Sequence, residues 1–199
     1  MMTFARALRP SALAIAALSC KPSLRSLNEG FAFEPGVPKP DIVLTATDGR
    51  PFRLREDTEG KVVLLYVGYT HCPDVCPVTM ANLAAALGAL SPEINREVRV
   101  VFVTTDPRRD TPPVLRAWLD HFDPRFVGLR GDSAQIAAVL QILHLGEPIV
   151  VPGANDTTYA VEHAAMVLGF TRDDLAHVGY PFGIRQEDWV QNIQALVKQ

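Results

Sequence analysis

The chain lacks several features that would assign it to common classes of protein. It has 3 cysteines in 199 residues, too few for a disulfide-dense scaffold. Its 19 basic and 22 acidic residues give a formal net charge of −3 and form no blocks. There is therefore no basic stripe of the kind that binds nucleic acid, and we expect no nucleic-acid partner. What is present is 48% hydrophobic residues, enough for the core of one domain with short extensions.

The N-terminus lacks an apolar run long enough to cross a bilayer. The uncharged stretch from Pro10 to Cys20 has instead the length of the apolar region of a secretory signal. Ala17-Leu18-Ser19 would serve as its cleavage site, and Cys20 could carry a lipid anchor. We predict that residues 1–27 are a signal or membrane-anchoring segment of an exported protein. The protein would lie in the periplasm or on the periplasmic face of the inner membrane. If Cys20 carries a lipid, the protein is a lipoprotein anchored to that membrane. The alternative is that this segment is an irregular N-terminal arm in which Cys20 has no specific role.

Two cysteines lie four positions apart in "YVGYTHCPDVCPV", residues 66–78. They could form a structural bridge, a redox dithiol or a pair of metal ligands. A bridge would close so small a loop that it would add little stability, and an isolated pair in an exported protein is otherwise oxidised or bound to something. Thiolates are soft ligands that suit Cu(I) or Zn(II). Two sulfurs rarely complete a site, so a third ligand is expected from a distant segment.

Strands and turns are indicated along most of the chain. After an irregular lead-in at 28–41, a hairpin is predicted at 41–54 around the turn Asp48-Gly49. The continuous apolar runs at 61–69 and 98–106 predict buried central strands. Further strands are predicted at 126–131, 159–170 and 175–181.

Helical patterns alternate with these strands. They cover 78–90, 111–122 with Thr111 as N-cap, 133–144 with Ser133 as N-cap, and 186–198. A βαβ unit followed by a ββα unit is the ground plan of thioredoxin-like domains. We therefore predict an α/β, thioredoxin-like domain over residues 28–199, in which helices flank a central mixed β-sheet that carries an N-terminal β-hairpin extension.

In that plan the cysteine pair lies between the first central strand and the next helix. A helix N-terminus favours thiolate over thiol because its N–H groups are unpaired and carry partial positive charge. Pro73 and Pro77 each fit a first helical turn, where a missing N–H costs nothing. A spacing of four places both sulfurs on one face of a helix.

The five histidines are the candidates for the third ligand. His163 precedes the apolar segment "AAMVLGF", at the point where thioredoxin-like domains usually carry a cis-proline beside the active-site sulfurs. His121 and His144 end helices, where a cation complements the dipole. His71 points away from its neighbouring cysteine if that segment is extended, and His177 fits a solvated strand position. His163 is the preferred candidate.

Four segments in this order resemble the Sco (SenC) family: "YTHCPDVCPVTMANL", "VTTDPRRDTPPVLRAWLDHFDPRFVGLRG", "VEHAAMVLGF" and "YPF". Members are thioredoxin-like copper-binding proteins that take part in assembling the CuA centre of cytochrome c oxidase. The resemblance implies that Cys72, Cys76 and His163 bind copper, as Cu(I) or Cu(II). It also implies delivery to cytochrome c oxidase subunit II or to another copper-receiving or thiol partner.

The resemblance further implies that Asp106, Pro107, Asp110 and Thr111 serve as loop and helix-capping residues near the site and are not ligands. The chain departs from the family's pattern in two respects. Its N-terminus is too short for the usual single transmembrane helix, and residues 145–156 lack an aromatic-rich stretch.

The cysteine pair leaves a second class of function open, that of an enzyme. As a redox-active dithiol, Cys72 and Cys76 would act in a thiol–disulfide oxidoreductase that reduces a partner's cysteines. A thiol peroxidase is disfavoured because Thr70 lies two positions before Cys72, not three. Chaperone and reductant could coexist, since a dithiol site must be reduced before it accepts copper.

Overall fold

The computed structural model describes residues 29–155 and 158–199. The predictions for residues 1–27, including cleavage and lipidation at Cys20, lie outside the described residues. The elements within them are β1 (Phe31–Pro38), β2 (Val43–Ala46), β3 (Pro51–Arg53), β4 (Val62–Gly68), α1 (Val75–Ala89), α2 (Pro92–Arg96), β5 (Val98–Thr104), α3 (Pro112–Asp120), β6 (Val127–Arg130), α4 (Ser133–Ile142), β7 (Ile149–Val151), β8 (Ala160–Glu162), β9 (Met166–Phe170), β10 (Leu175–Pro181) and α5 (Gln186–Val197). None of the described helices combines the length and the apolar character needed to cross a membrane.

Eight strands form one mixed sheet in the order β1-β10-β9-β4-β5-β6-β2-β3. The pairs β4–β5 and β5–β6 are parallel, and the other pairs of this sheet are antiparallel. The predicted thioredoxin-like α/β fold is confirmed. The predicted hairpin around Asp48-Gly49 is also present: β2 and β3 pair with each other, and β2 extends the sheet beside β6.

The core lies on both faces of the two central parallel strands. Every residue of β4 is buried, which explains its uninterrupted apolar run. Leu64 and Tyr66 pack with α1, α3 and α5 on one face, whereas Val63 and Leu65 pack with α4 on the other. Each fully buried aliphatic side chain contributes about 1.5–3 kcal/mol. This double layer holds the ends of β4 and β5 in fixed positions.

Two predictions for the strands are wrong. The lead-in at 28–41 is not irregular throughout, because Phe31–Pro38 forms β1 and pairs with β10. Its prolines are tolerated since an edge strand needs only one set of backbone hydrogen bonds. The single strand predicted at 159–170 is divided: β8 pairs with β7 in a separate two-stranded sheet, and β9 belongs to the main sheet.

The helix boundaries also differ from the predicted ones. Helix α1 begins at Val75, not at residue 78, so Cys76 lies inside its first turn and Pro73 precedes the N-cap. The N-cap of α4 is Asp132, not Ser133, and its carboxylate accepts from Gln135 N. Helix α2 was not predicted; Ser91 caps it.

Candidate functional site

The two cysteines and His163 lie at the carboxyl end of β4. That strand ends at Gly68, and a short loop carries Cys72 to the N-terminus of α1, whose first turn contains Cys76. His163 lies in the break between β8 and β9. Because β9 is antiparallel to β4, the residues just before β9 reach the same edge of the sheet as the cysteine loop.

The structure places Cys76 and His163 side by side. Cys76 Sγ is 3.6 Å from His163 Nε2, and Cys72 Sγ accepts a hydrogen bond from the backbone N–H of Cys76 at 3.4 Å. Both cysteines are free thiols. A sulfur and an imidazole nitrogen that share one ion at about 2.3 and 2.0 Å are roughly 3.5–3.7 Å apart. The separation of Cys76 Sγ and His163 Nε2 therefore suits a shared metal ion.

A complete three-ligand cluster is not formed. No three His, Cys, Asp or Glu side chains converge closely enough to hold a metal within residues 29–155 and 158–199. Cys72 is next to Cys76 but is directed at a backbone N–H. The structure thus brings two of the predicted ligands together and leaves the third beside them.

Burial keeps the side chains of this pair uncharged. Cys76 is fully buried, and this burial raises the pKa of its thiol to about 12. Burial also lowers the pKa of His163. His163 Nδ1 lies 3.2 Å from the carbonyl oxygen of Ala164. Since a carbonyl can only accept, Nδ1 carries the hydrogen in this contact, and the lone pair of Nε2 is directed at the sulfur.

Two tyrosines from the segment before the cysteines enclose His163. The ring centroids of Tyr66 and Tyr69 lie 6.1 and 5.9 Å from that of His163, and both pairs are edge-to-face. The Tyr66 hydroxyl donates to Cys76 Sγ at 3.6 Å, and burial raises the pKa of this tyrosine. Both residues belong to "YVGYTHC", but their contacts with His163 could not be predicted because they depend on the break between β8 and β9.

Asp110 holds the cysteine loop in place through hydrogen bonds. This fully buried residue accepts hydrogen bonds from Thr70 N at 3.0 Å, Thr70 Oγ1 at 2.6 Å and Thr104 Oγ1 at 2.5 Å. Thr70 lies two residues before Cys72. Thr111 is the N-cap of α3, as predicted, although its side chain makes no capping hydrogen bond. Asp110 therefore fixes the loop near the site and does not cap the helix.

Arg109 supports the same side of the site. Its guanidinium stacks 3.5 Å above the centroid of the Tyr159 ring and lies 5.6 Å from that of Tyr69. It also forms an ion pair with Asp106, which accepts a hydrogen bond from the Tyr159 hydroxyl at 2.8 Å. This group joins the loop after β5 to the segment that leads into β8. The sequence offered no signal for it beyond the run "DPRRD".

The remaining histidines lie in other settings. His71 is exposed, and its Nδ1 is 3.0 Å from Thr70 Oγ1 and 3.7 Å from Asp110 Oδ1. His121 is the C-cap of α3, and His144 follows α4 with a positive φ of 55°. His177 pairs with Asp173 at 2.8 Å on β10.

Comparison with known proteins gives one consistent family. A family model described as SCO1/SenC matches residues 38–198. Protein SenC of Rhodobacter capsulatus is 34% identical over 142 residues, with 63% of this chain and 64% of SenC covered. The mitochondrial protein SCO2 of Saccharomyces cerevisiae is 38% identical over 123 residues, with 61% and 40% covered. The chain thus spans less than two thirds of the length of these curated relatives.

Solved structures show the same similarity. Apo Sco1 from Thermus thermophilus superposes with a TM-score of 0.75 and 31% identity, covering 84% of this chain and 96% of that one. ScoI from Bradyrhizobium japonicum, solved with copper bound, gives a TM-score of 0.72 and 29% identity, covering 80% and 99%.

Proposed function

The chain belongs to the SCO1/SenC family, and from this premise we propose that it is a copper chaperone with Cys72, Cys76 and His163 as its ligands. The observation that carries the proposal is the 3.6 Å separation of Cys76 Sγ and His163 Nε2. Two thiolates and an imidazole suit Cu(I), and Cu(II) after oxidation. A similar protein, the ScoI of Bradyrhizobium japonicum, has been solved with copper.

Cys72 completes the site in this proposal. Its sulfur lies 3.4 Å from the backbone nitrogen of Cys76, and its side chain is only partly buried. Side chains change between staggered rotamers, and one such change would turn the Cys72 sulfur toward the ion. The buried Cys76 and the half-buried His163, which are already side by side, would then form the fixed part of the site, and Cys72 the part that turns toward the ion.

This division suggests how the cargo leaves. A thiolate of the partner would approach from the side of Cys72 and share the ion before Cys72 releases it. We propose as the receiving protein the CuA-bearing subunit II of cytochrome c oxidase, or another copper-receiving or thiol partner.

The domain would be residues 28–199. Residues 1–27 would direct export to the periplasm or anchor the protein to the inner membrane, which mass spectrometry of the mature protein, including Cys20, would test.

Copper titration of the reduced protein tests the ligand set. The wild-type chain is expected to bind one copper ion. His163→Ala should lower the affinity at least about tenfold, because even the loss of an outer-shell partner costs about 10–100-fold. His177→Ala is the matched control, since His177 pairs with Asp173 on a different part of the sheet. Unchanged stoichiometry and affinity in His163→Ala would refute the three-ligand site.

A thiol–disulfide oxidoreductase is the second candidate, and the unequal exposure of the two free thiols favours it. Cys72 is partly exposed and Cys76 is buried. In that reaction the Cys72 thiolate attacks a partner's disulfide and forms a mixed disulfide. Cys76, once deprotonated, then attacks the Cys72 sulfur, which releases the partner's dithiol and leaves a Cys72–Cys76 disulfide. Sustained insulin reduction with dithiothreitol, without copper retention, would favour this function over the chaperone.

A further inference from the structure

A cleft of about 490 Å³ lies at the end of the sheet opposite to the candidate site. It is formed where β5 begins, between the carboxyl end of α1, helix α2 and the loop before β6. Strands β4 and β5 are parallel, and Val62 pairs with Val98 at this end whereas Gly68 pairs with Thr104 at the other. At about 3.3 Å per residue, the cleft is roughly 20 Å from the cysteine loop.

The cleft concentrates positive charge in a chain whose net charge is −3. Four of its ten lining residues are cationic, and a single one, Asp123, is acidic. Three of the cations have carboxylate partners: these pairs are Lys61–Glu97, Arg96–Glu93 and Arg125–Asp123. Among the described residues, the fourth cation, Arg99, has no carboxylate within ion-pair distance, so its charge is unbalanced.

Arg99 is directed by backbone contacts alone. Its Nη1 donates to the carbonyl oxygens of Arg96 at 3.3 Å and Val98 at 3.0 Å. Over the part of the chain that the structure describes, it forms no ion pair. A guanidinium has five donors in a planar fork, so most of its donors are available to a ligand.

The walls of the cleft are held by hydrogen bonds. Asn95 Nδ2 donates to the carbonyl oxygen of Leu87 at 2.8 Å, and Arg125 Nη1 donates to Asn95 Oδ1 at 2.7 Å. Arg125 in turn binds Asp123 at 2.5 Å. The floor is closed by buried apolar side chains, among them Phe126. Because these groups are already ordered, a ligand would not have to order them on binding.

We propose that this cleft binds a small anion with two or more negative charges, a phosphate or carboxylate compound, and that Arg99 is its main contact. The fork of an arginine matches the oxygens of phosphate and carboxylate. The volume lies in the range of about 300–1,000 Å³ usual for small-molecule sites. Lys61 and Arg96 also line the cleft, but their carboxylate partners balance most of their charge, so Arg99 supplies the main attraction. The site is independent of copper binding.

Calorimetry tests the proposal by measuring the affinity of the metal-free, full-length protein for two anions. These are inorganic pyrophosphate and, in a separate titration, tricarballylate. Arg99→Gln should weaken binding about tenfold or more, as expected for the loss of a hydrogen bond to a charged group. Arg99→Lys, which keeps the charge, should lose less. Arg50→Gln is the matched control, because Arg50 is an exposed arginine in the β2–β3 turn. Amide shifts in a ¹H–¹⁵N spectrum should fall on residues 95–100 and 123–126.

The same phosphate chemistry can come from a soluble compound or from a lipid headgroup. Co-sedimentation with phosphatidylglycerol vesicles, compared with phosphatidylcholine vesicles, distinguishes these sources. Binding that depends on Arg99 in either arm supports the site and identifies its source. Absence of binding in both arms, or equal losses in Arg99→Gln and Arg50→Gln, would overturn it.

Discussion

Gly68, at the end of β4, makes room for the sulfur of Cys76. A Cβ at this position would lie 2.8 Å from Tyr66 Cε1, 3.0 Å from Cys76 Sγ and 3.2 Å from Phe102 Cε2. Because these groups are fully buried, Gly68→Ala should displace the sulfur from His163 and lower the free energy of unfolding by about 1–3 kcal/mol. Urea denaturation and copper titration measure both effects.

Gly88 provides the control for that substitution. It is an exposed residue of α1 whose added Cβ would meet nothing within 4 Å. Gly88→Ala should therefore stabilise the protein by about 0.5–1 kcal/mol through helix propensity and leave copper affinity unchanged. If both alanine variants have the same stability and affinity, the close packing around Gly68 does not shape the site.

The buried carboxylate of Asp110 is predicted to matter for both stability and copper affinity. Asp110→Ala would leave three donors without their acceptor: two of the partly buried Thr70 and one of the buried Thr104. At about 1–3 kcal/mol for each unsatisfied group, partly relieved by relaxation, we expect a loss of roughly 2–4 kcal/mol. The released loop should also bind copper more weakly. Denaturation and titration against Asp120→Ala, which removes an exposed partner of Arg116, provide the comparison.

How far single residues of the site can be predicted depends on whether a local pattern marks them. The spacing of Cys72 and Cys76 is visible in the sequence. His163 lies at the position where thioredoxin-like domains usually carry a cis-proline beside the active-site sulfurs. By contrast, Thr70 and Asp110 are 40 positions apart. No periodicity links them, because their contact arises only from the packing of two loops at one sheet edge.

At the scale of elements, uninterrupted apolar runs were the most informative signal. They predict β4 and β5 because a strand buried on both faces needs an apolar residue at every position. Strand β1 was not predicted because its prolines resemble a loop, whereas an edge strand tolerates them. The break between β8 and β9 was not predicted either. The segment "AVEHAAMVLGF" is apolar except for Glu162 and His163, and the pairing of β8 with β7 divides it.

The segment between β1 and β2 is attached to the β9–β10 turn by a buried ion pair. Lys39 Nζ lies 2.6 Å from Asp174 Oδ1 and donates to Thr58 Oγ1 at 3.1 Å, and its side chain is 1% exposed. Removing one partner of a buried pair costs about 3–5 kcal/mol. Asp174 is partly exposed and keeps Arg55 at 3.4 Å, so Lys39→Met should cost roughly 2–3 kcal/mol by urea denaturation.

Lys61→Met is the control for this prediction, because the Lys61–Glu97 pair is partly exposed. Surface pairs contribute about 0–1 kcal/mol, so its cost should be several times smaller. Equal costs for the two methionine variants would show that Lys39 does not attach the edge of the sheet.

At the scale of the whole molecule, the sheet separates two regions with different chemistry. The thiol and imidazole groups lie at the carboxyl end of β4, and the cationic cleft lies where β5 begins. The two buried layers of the core lie between these regions. The buried apolar residues of the described chain begin at Val37, so β1 is the first element that the fold requires.

The boundary of the folded unit can therefore be tested by two truncations. A chain that begins at Glu29 keeps β1, Val37 and Lys39, and it should retain the melting temperature and the copper stoichiometry of the full chain.

A chain that begins at Asp41 loses all three and leaves the edge of β10 unpaired. Losing one buried valine and one buried ion pair costs roughly 4–5 kcal/mol, and each kcal/mol corresponds to about 2–4 °C for a domain of this size. The melting temperature should thus fall by roughly 10 °C or more in the second chain. Equal losses in both chains, measured by calorimetry, would show that residues 1–28 contribute to the domain itself.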